Sequence, residues 1–148
     1  MRHAVTIGAF LNLMLFGVGC GYFKSGTWSD DPKNWERAFD SQKPPDVEVA
    51  HSKYWRSPHW SYEFEYFFHI RANAKIREQL FTENKLSLLG GEQAHSAKQY
   101  CVSVGPNWFA PQSVEAYDVW GYANEPSSNF RVFIDKNNED IFLTDYLR

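Results

Sequence analysis

Residues 58–71 read Pro58-His59-Trp60-Ser61-Tyr62-Glu63-Phe64-Glu65-Tyr66-Phe67-Phe68-His69-Ile70-Arg71, and the reading of this stretch decides the fold. It alternates with period two, the pattern of a β-strand with two unlike faces. Trp60, Tyr62, Phe64, Tyr66, Phe68 and Ile70 make one large, mostly apolar face. His59, Ser61, Glu63, Glu65, Phe67, His69 and Arg71 make the other, which is mostly polar. The expectation is a strand over residues 60–71 with its aromatic face on a core and its polar face toward water or a partner.

The flanks are read outward from this strand. Upstream, Asp31-Pro32 marks a helix start, because Pro suits the first helical position. Trp35, Ala38 and Phe39 then fall at i, i+3 and i+4, which predicts a short helix near 32–40. Pro44-Pro45 ends it. Val47 and Val49 alternate with polar neighbours and predict a short strand at 46–50. Residues 21–30 read as a tether. Downstream, Asn73 is placed to cap a helix over 74–84, with Ile76, Leu80 and Phe81 as its apolar contacts. That stripe is narrow, so the helix is expected to cover a sheet and not to be buried all round. Gly90-Gly91 reads as a loop. Tyr100, Val102 and Val104 alternate with Cys101 and Ser103, which predicts a strand at 99–104. Residues 105–111, Gly105-Pro106-Asn107-Trp108-Phe109-Ala110-Pro111, form a stiff aromatic loop between prolines, and 114–122 reads as another strand. Residues 130–135 and 141–146 form a hairpin around Lys136-Asn137-Asn138-Glu139. The sum is α+β, one domain at 31–148, a mostly antiparallel sheet of about five to six strands with one or two helices on one face.

Composition agrees with a folded domain and limits its partners. Aromatics are 18% of 148 residues, including six Trp, whereas disordered chains are poor in them. The net charge is −3 and Lys and Arg are not clustered, so no nucleic-acid partner is expected.

The N-terminus carries an address. Arg2 and His3 precede an apolar run from Ala4 to Gly19. That run is shorter than the roughly 18–20 residues that span a bilayer, and it fits a secretory signal. The junction Gly17-Val18-Gly19-Cys20 resembles the lipobox of bacterial lipoproteins. The family usually has Leu where this chain has Gly17, with Leu15 two positions upstream. The resemblance implies cleavage after residue 19, acylation of Cys20 and attachment to the membrane through the lipid. Gly21 is not the Asp associated with inner-membrane retention, so the resemblance favours an outer membrane where the cell has one. Lipidation of Cys20 would leave Cys101 alone; a Cys20–Cys101 disulfide is the alternative, and it requires that Cys20 carry no lipid. Together with Trp108-Phe109-Ala110-Pro111 and the terminal hairpin, the chain is similar to small exported bacterial lipoproteins with a globular domain of unknown function.

Four sets of residues are candidates for function. His59, Glu63, Glu65 and His69 share the polar face of the strand, and neighbours there lie about 6.6 Å apart. Glu63 and Glu65 could divide acid and base roles, as in a small hydrolase or wall-modifying enzyme. The same residue types suit zinc, which needs three or four convergent ligands, and no His-x-x-x-His or Cys-x-x-Cys element is present. The simpler expectation is a solvated or partner-facing surface. Cys101 with His95 would need a base in reach and a depressed pKa to act as a nucleophile; a buried filler is expected instead. Trp108 and Phe109 are either rigid interface anchors or a plug for the core. Asp118, Arg131 and Asp135 suggest a structural ion pair, since an inward Arg needs a carboxylate. No metal or cofactor is implied. The expected function is a non-enzymatic protein-binding domain of the cell envelope, with an envelope protein or a toxin effector as partner, the latter as for a lipid-anchored immunity protein. A purely structural envelope component is a further reading.

Overall fold

A computed structural model describes residues 25–58, 62–109, 114–125 and 127–148. Among these residues the frame is one antiparallel sheet of seven strands, more than the five to six expected. In chain order these are β1 (Gly26–Ser29), β2 (Val49–Arg56), β3 (Phe64–Ile70), β4 (Leu86–Leu88), β5 (Tyr117–Tyr122), β6 (Arg131–Asp135) and β7 (Ile141–Leu147). Their order across the sheet is β1-β2-β3-β7-β6-β5-β4. The two edge strands are the two shortest, which limits the unpaired backbone offered to another chain.

The organising strand sits inside this sheet, paired with β2 on one side and β7 on the other. Phe64, Tyr66, Phe68 and Ile70 point to a first core. Helices α1 (Asn34–Phe39) and α2 (Ala74–Asn84) cover that core with Trp35, Phe39, Ile76 and Leu80. Trp35 and Phe39 meet as a tilted pair at 4.6 Å, as their i, i+4 spacing allows. Asn73 caps α2 as expected, its Oδ1 accepting from the Ile76 N–H at 3.0 Å.

The other face of β3 departs from expectation. It is covered, not open to water. A third helix, α3 (Gly91–Val104), and the loop that follows it supply Ala94, Cys101 and Phe109 to a second core around Phe67, Phe133 and Phe142. Helices therefore lie on both faces of the sheet, not on one. The expected strand at 99–104 is the last part of α3, and Gly90-Gly91 is its start. Alternation of Tyr100, Val102 and Val104 suggested a strand, but Val102 is 60% exposed while Ala94 and Cys101, seven residues apart, are buried. The spacing i, i+3, i+7 of Ala94, Ala97 and Cys101 is helical, and Glu92, Gln93, Ala97, Lys98 and Gln99 are good helix formers.

Three other boundaries move. The tether is in part a strand: β1 pairs with β2, and Trp28 packs on Tyr54 at 6.1 Å. The strand expected at 46–50 begins at Val49 and runs on to Arg56, with a bulge between Val49 and His51. Val47 is buried in the turn before it. Residues 114–116 form a 3-10 turn ahead of β5. The β6–β7 hairpin stands as expected, and Asn138 Oδ1 accepts from the Asp140 N–H at 2.9 Å in its turn. Among the described residues no helix is long and apolar enough to cross a membrane.

Candidate functional site

The α3 side of the sheet carries most of the polar groups that the sequence singles out, and β3 distributes them into two clusters. Glu65 is 8% exposed. Its Oε1 accepts from the Tyr100 hydroxyl and from Arg148 Nη2, the latter at 3.0 Å. Tyr100 in turn stacks on Tyr146 at 4.3 Å. Burial first, then the hydrogen bond to Glu65 and its charge, holds the Tyr100 phenol far above its ordinary range. Glu65 is thus an internal acceptor that fixes α3 and the C-terminus to the sheet. Glu63 precedes β3, and its carbonyl accepts from the Ser57 N–H at 3.1 Å. Glu63 therefore stands just outside the strand, one residue before its first position. His59 lies outside the described residues, as does Cys20.

The second cluster surrounds His69. Its Nε2 lies 2.8 Å from Asp140 Oδ2, and its ring stacks on Phe142 at 4.3 Å. Asp140 also accepts from Arg71 Nη1 and from the Ala72 N–H, both at 3.0 Å. Burial raises the Asp140 pKa, but these bonds outweigh it and the carboxyl lies below its ordinary value of 3.8. His51 faces His69 across the β2–β3 pair at 6.1 Å and stacks on Trp108 at 5.3 Å. A carboxylate–imidazole pair can serve a base, yet no serine, threonine or cysteine among the described residues is bonded to His69. No group of three His, Cys, Asp or Glu among the described residues is placed to hold a metal ion.

The remaining candidates resolve separately. Phe109 is fully buried, touching Phe67 at 5.0 Å and Phe142 at 5.6 Å, so it is the plug and not an anchor. Trp108 is only half-buried. Cys101 is 1% exposed, and burial pushes its thiol up to about 12. His95 is exposed and bonded to Gln99 at 3.0 Å, and among the described residues it makes no hydrogen bond to that thiol. Asp118 pairs with Lys136 at 3.5 Å, and Asp135 Oδ1 accepts from the Asn137 N–H. Arg131 pairs with neither aspartate, contrary to expectation; its Nη1 donates to the Ser128 and Phe130 carbonyls at 2.6 and 2.7 Å. Backbone acceptors beside it supply what a carboxylate was expected to supply.

On the opposite face, β7 places Asp145 beside Tyr66 of β3. Burial raises its carboxyl to about 6, against lowering by the Tyr146 N–H and Arg131. A raised acid favours the folded state while it holds its proton. Stability therefore falls as pH rises from about 4 through 6, by on the order of 2–3 kcal/mol. Asp145→Asn is expected to raise the thermal midpoint at pH 7.5 by roughly 3–8 °C and to leave it unchanged near pH 3.5. An equal gain at both pH values, followed by differential scanning calorimetry, would contradict the assignment.

Asp140, Tyr100, Arg148 and His51 are the participants that sequence reasoning missed. Asp140 sits in a hairpin turn and Tyr100 in the segment read as a strand, so neither carried a local signal. No protein-family model, curated protein or solved structure matches this chain.

Proposed function

We propose that the protein is a lipid-anchored, non-enzymatic binding domain of the bacterial cell envelope, tethered through Cys20 and recognising another envelope protein. The observation that carries the non-enzymatic part is the use of Glu65. The carboxylate best placed for acid or base work is buried and already accepts from Tyr100 and Arg148. Removing those partners would leave a buried carboxylate unsatisfied. The anchor rests on the Gly17-Val18-Gly19-Cys20 junction, and two or more acyl chains give stable attachment. With Phe109 and Glu65 internal, the surface left for a partner centres on half-buried Trp108 and its neighbour His51.

The test is metabolic labelling of the full chain with radioactive palmitate in a bacterial host, beside Cys20→Ser. Label in the wild type, its loss in the variant and a shift of the variant from membrane to soluble fraction are expected. An unlabelled wild-type protein found in the cytosol would end the proposal. The same membranes, crosslinked and affinity-purified, should yield one envelope protein that Trp108→Ala no longer retains.

A further inference from the structure

Beside the second core the surface opens into a cleft. Between α3 and strands β4 to β7 lies a cavity of about 460 Å3, within the range of small-molecule sites. Its wall includes Ala97, Tyr100 and Cys101 from α3, and Arg131, Thr144 and Tyr146 from the sheet. Among the described residues, two polar groups on that wall have hydrogen-bonding capacity left over. Thr144 is 1% exposed, and its Oγ1 makes no hydrogen bond. The Arg131 guanidinium is pinned by its Nη1 bonds to two backbone carbonyls, while its Nε and Nη2 donate to nothing among the described residues. No carboxylate among those residues lies within ion-pair distance of it, although Asp145 interacts with it electrostatically from the opposite face of the sheet. A buried hydroxyl left this way costs free energy.

One ligand group would satisfy both. A carboxylate is planar, takes two parallel N–H donors from an arginine edge, and can accept from a hydroxyl as well. Tyr100, stacked on Tyr146, and Ala97 offer an apolar surface to the rest of such a molecule. Glu92 and Glu125 also border the cavity, and Glu92 is exposed on the first turn of α3. Exposed Glu92 on that rim, beside a single guanidinium, disfavours a dianionic phosphate. We propose that this cavity binds a small organic carboxylate, with Arg131 and Thr144 holding the carboxylate and the Tyr100–Tyr146 wall holding its hydrocarbon body. The inference depends neither on the lipid anchor nor on a protein partner.

The test titrates the full-length protein in detergent micelles with benzoate, followed by amide chemical shifts. Benzamide, inorganic phosphate and hexanoate are titrated in parallel. Saturable, millimolar binding of benzoate or hexanoate is expected, with shifts at Cys101, Gly121, Arg131 and Thr144. Benzamide and phosphate should bind at least tenfold more weakly. Arg131→Gln should weaken benzoate or hexanoate binding tenfold or more, and Thr144→Val by about three- to tenfold. Thr144→Val removes an unpartnered hydroxyl at nearly constant shape, so it should fold even if Arg131→Gln does not. Equal binding of benzoate and benzamide, unchanged affinity in Thr144→Val, tighter binding of phosphate, or no saturable shift with either carboxylate would each overturn the proposal.

Discussion

Replacing Phe109 by alanine should cost about 3–5 kcal/mol of stability, the usual range for truncating a fully buried aromatic. Phe109 is 0% exposed and meets Phe67, Phe133 and Phe142 edge-on at 5.0, 6.0 and 5.6 Å. Each contact joins the loop after α3 to a different strand of the sheet: β3, β6 and β7. Loss of the ring opens a cavity that these strands cannot close, because the hydrogen bonds of the sheet fix their spacing. A domain of this size has roughly 5–15 kcal/mol in total, so the variant should sit near the edge of folding. Trp108→Ala, at a half-buried ring stacked on His51, should cost much less. Urea denaturation of both variants checks the contrast; equal losses would mean that Phe109 is not the plug.

The second large effect is expected at Asp140. Its side chain is 7% exposed and accepts from His69, Arg71 and the Ala72 N–H. Asp140→Asn keeps the size but removes the charge and places an N–H₂ group against donors. A loss of about 2–4 kcal/mol follows, since a buried charge-assisted network is broken on one side. The pH dependence has a definite sign. The folded Asp140 pKa is depressed below its unfolded 3.8, so its stabilisation is complete above that value and is lost as pH falls through the folded pKa. The asparagine variant should therefore lack this acid loss and show a shallower decline below pH 4. Wild-type and variant urea midpoints measured from pH 2.5 to 7 provide the check; curves that stay parallel would mean that Asp140 carries no such linkage. Asp145, whose pKa is raised, acts in the opposite direction at higher pH, so the two variants separate the contributions.

Much of the framework was readable from local pattern. The period-two run of 64–70, the Asn73 cap with its Ile76-Leu80 stripe, and the 130–146 hairpin each depend on backbone sterics and on neighbours within a few residues. Where local pattern failed, two periodicities competed. Tyr100-Cys101-Val102-Ser103-Val104 satisfies a strand rule by its alternation, while Ala94, Ala97 and Cys101 satisfy a helix rule by their spacing. Burial of Cys101 against Phe67 and Phe133 decided for the helix. β1 was missed because a four-residue edge strand has too few positions to display a period.

The candidate site was legible only as a set of residue types. That Glu65 and His69 matter could be read from their alternation with aromatics. What they touch could not, because Tyr100 and Arg148 stand 35 and 83 residues from Glu65, and Asp140 stands 71 from His69. The sequence by itself determined that the chain is an aromatic-rich, mostly antiparallel α+β protein with an apolar N-terminal run, because those features rest on composition and short-range spacing. Only the tertiary structure decided that both sheet faces are covered, that Glu65 and Asp140 are internal acceptors, and that Arg131 and Thr144 meet at a cavity. Polar pairing and burial are set by which distant segments the fold brings into contact, and no local pattern encodes that.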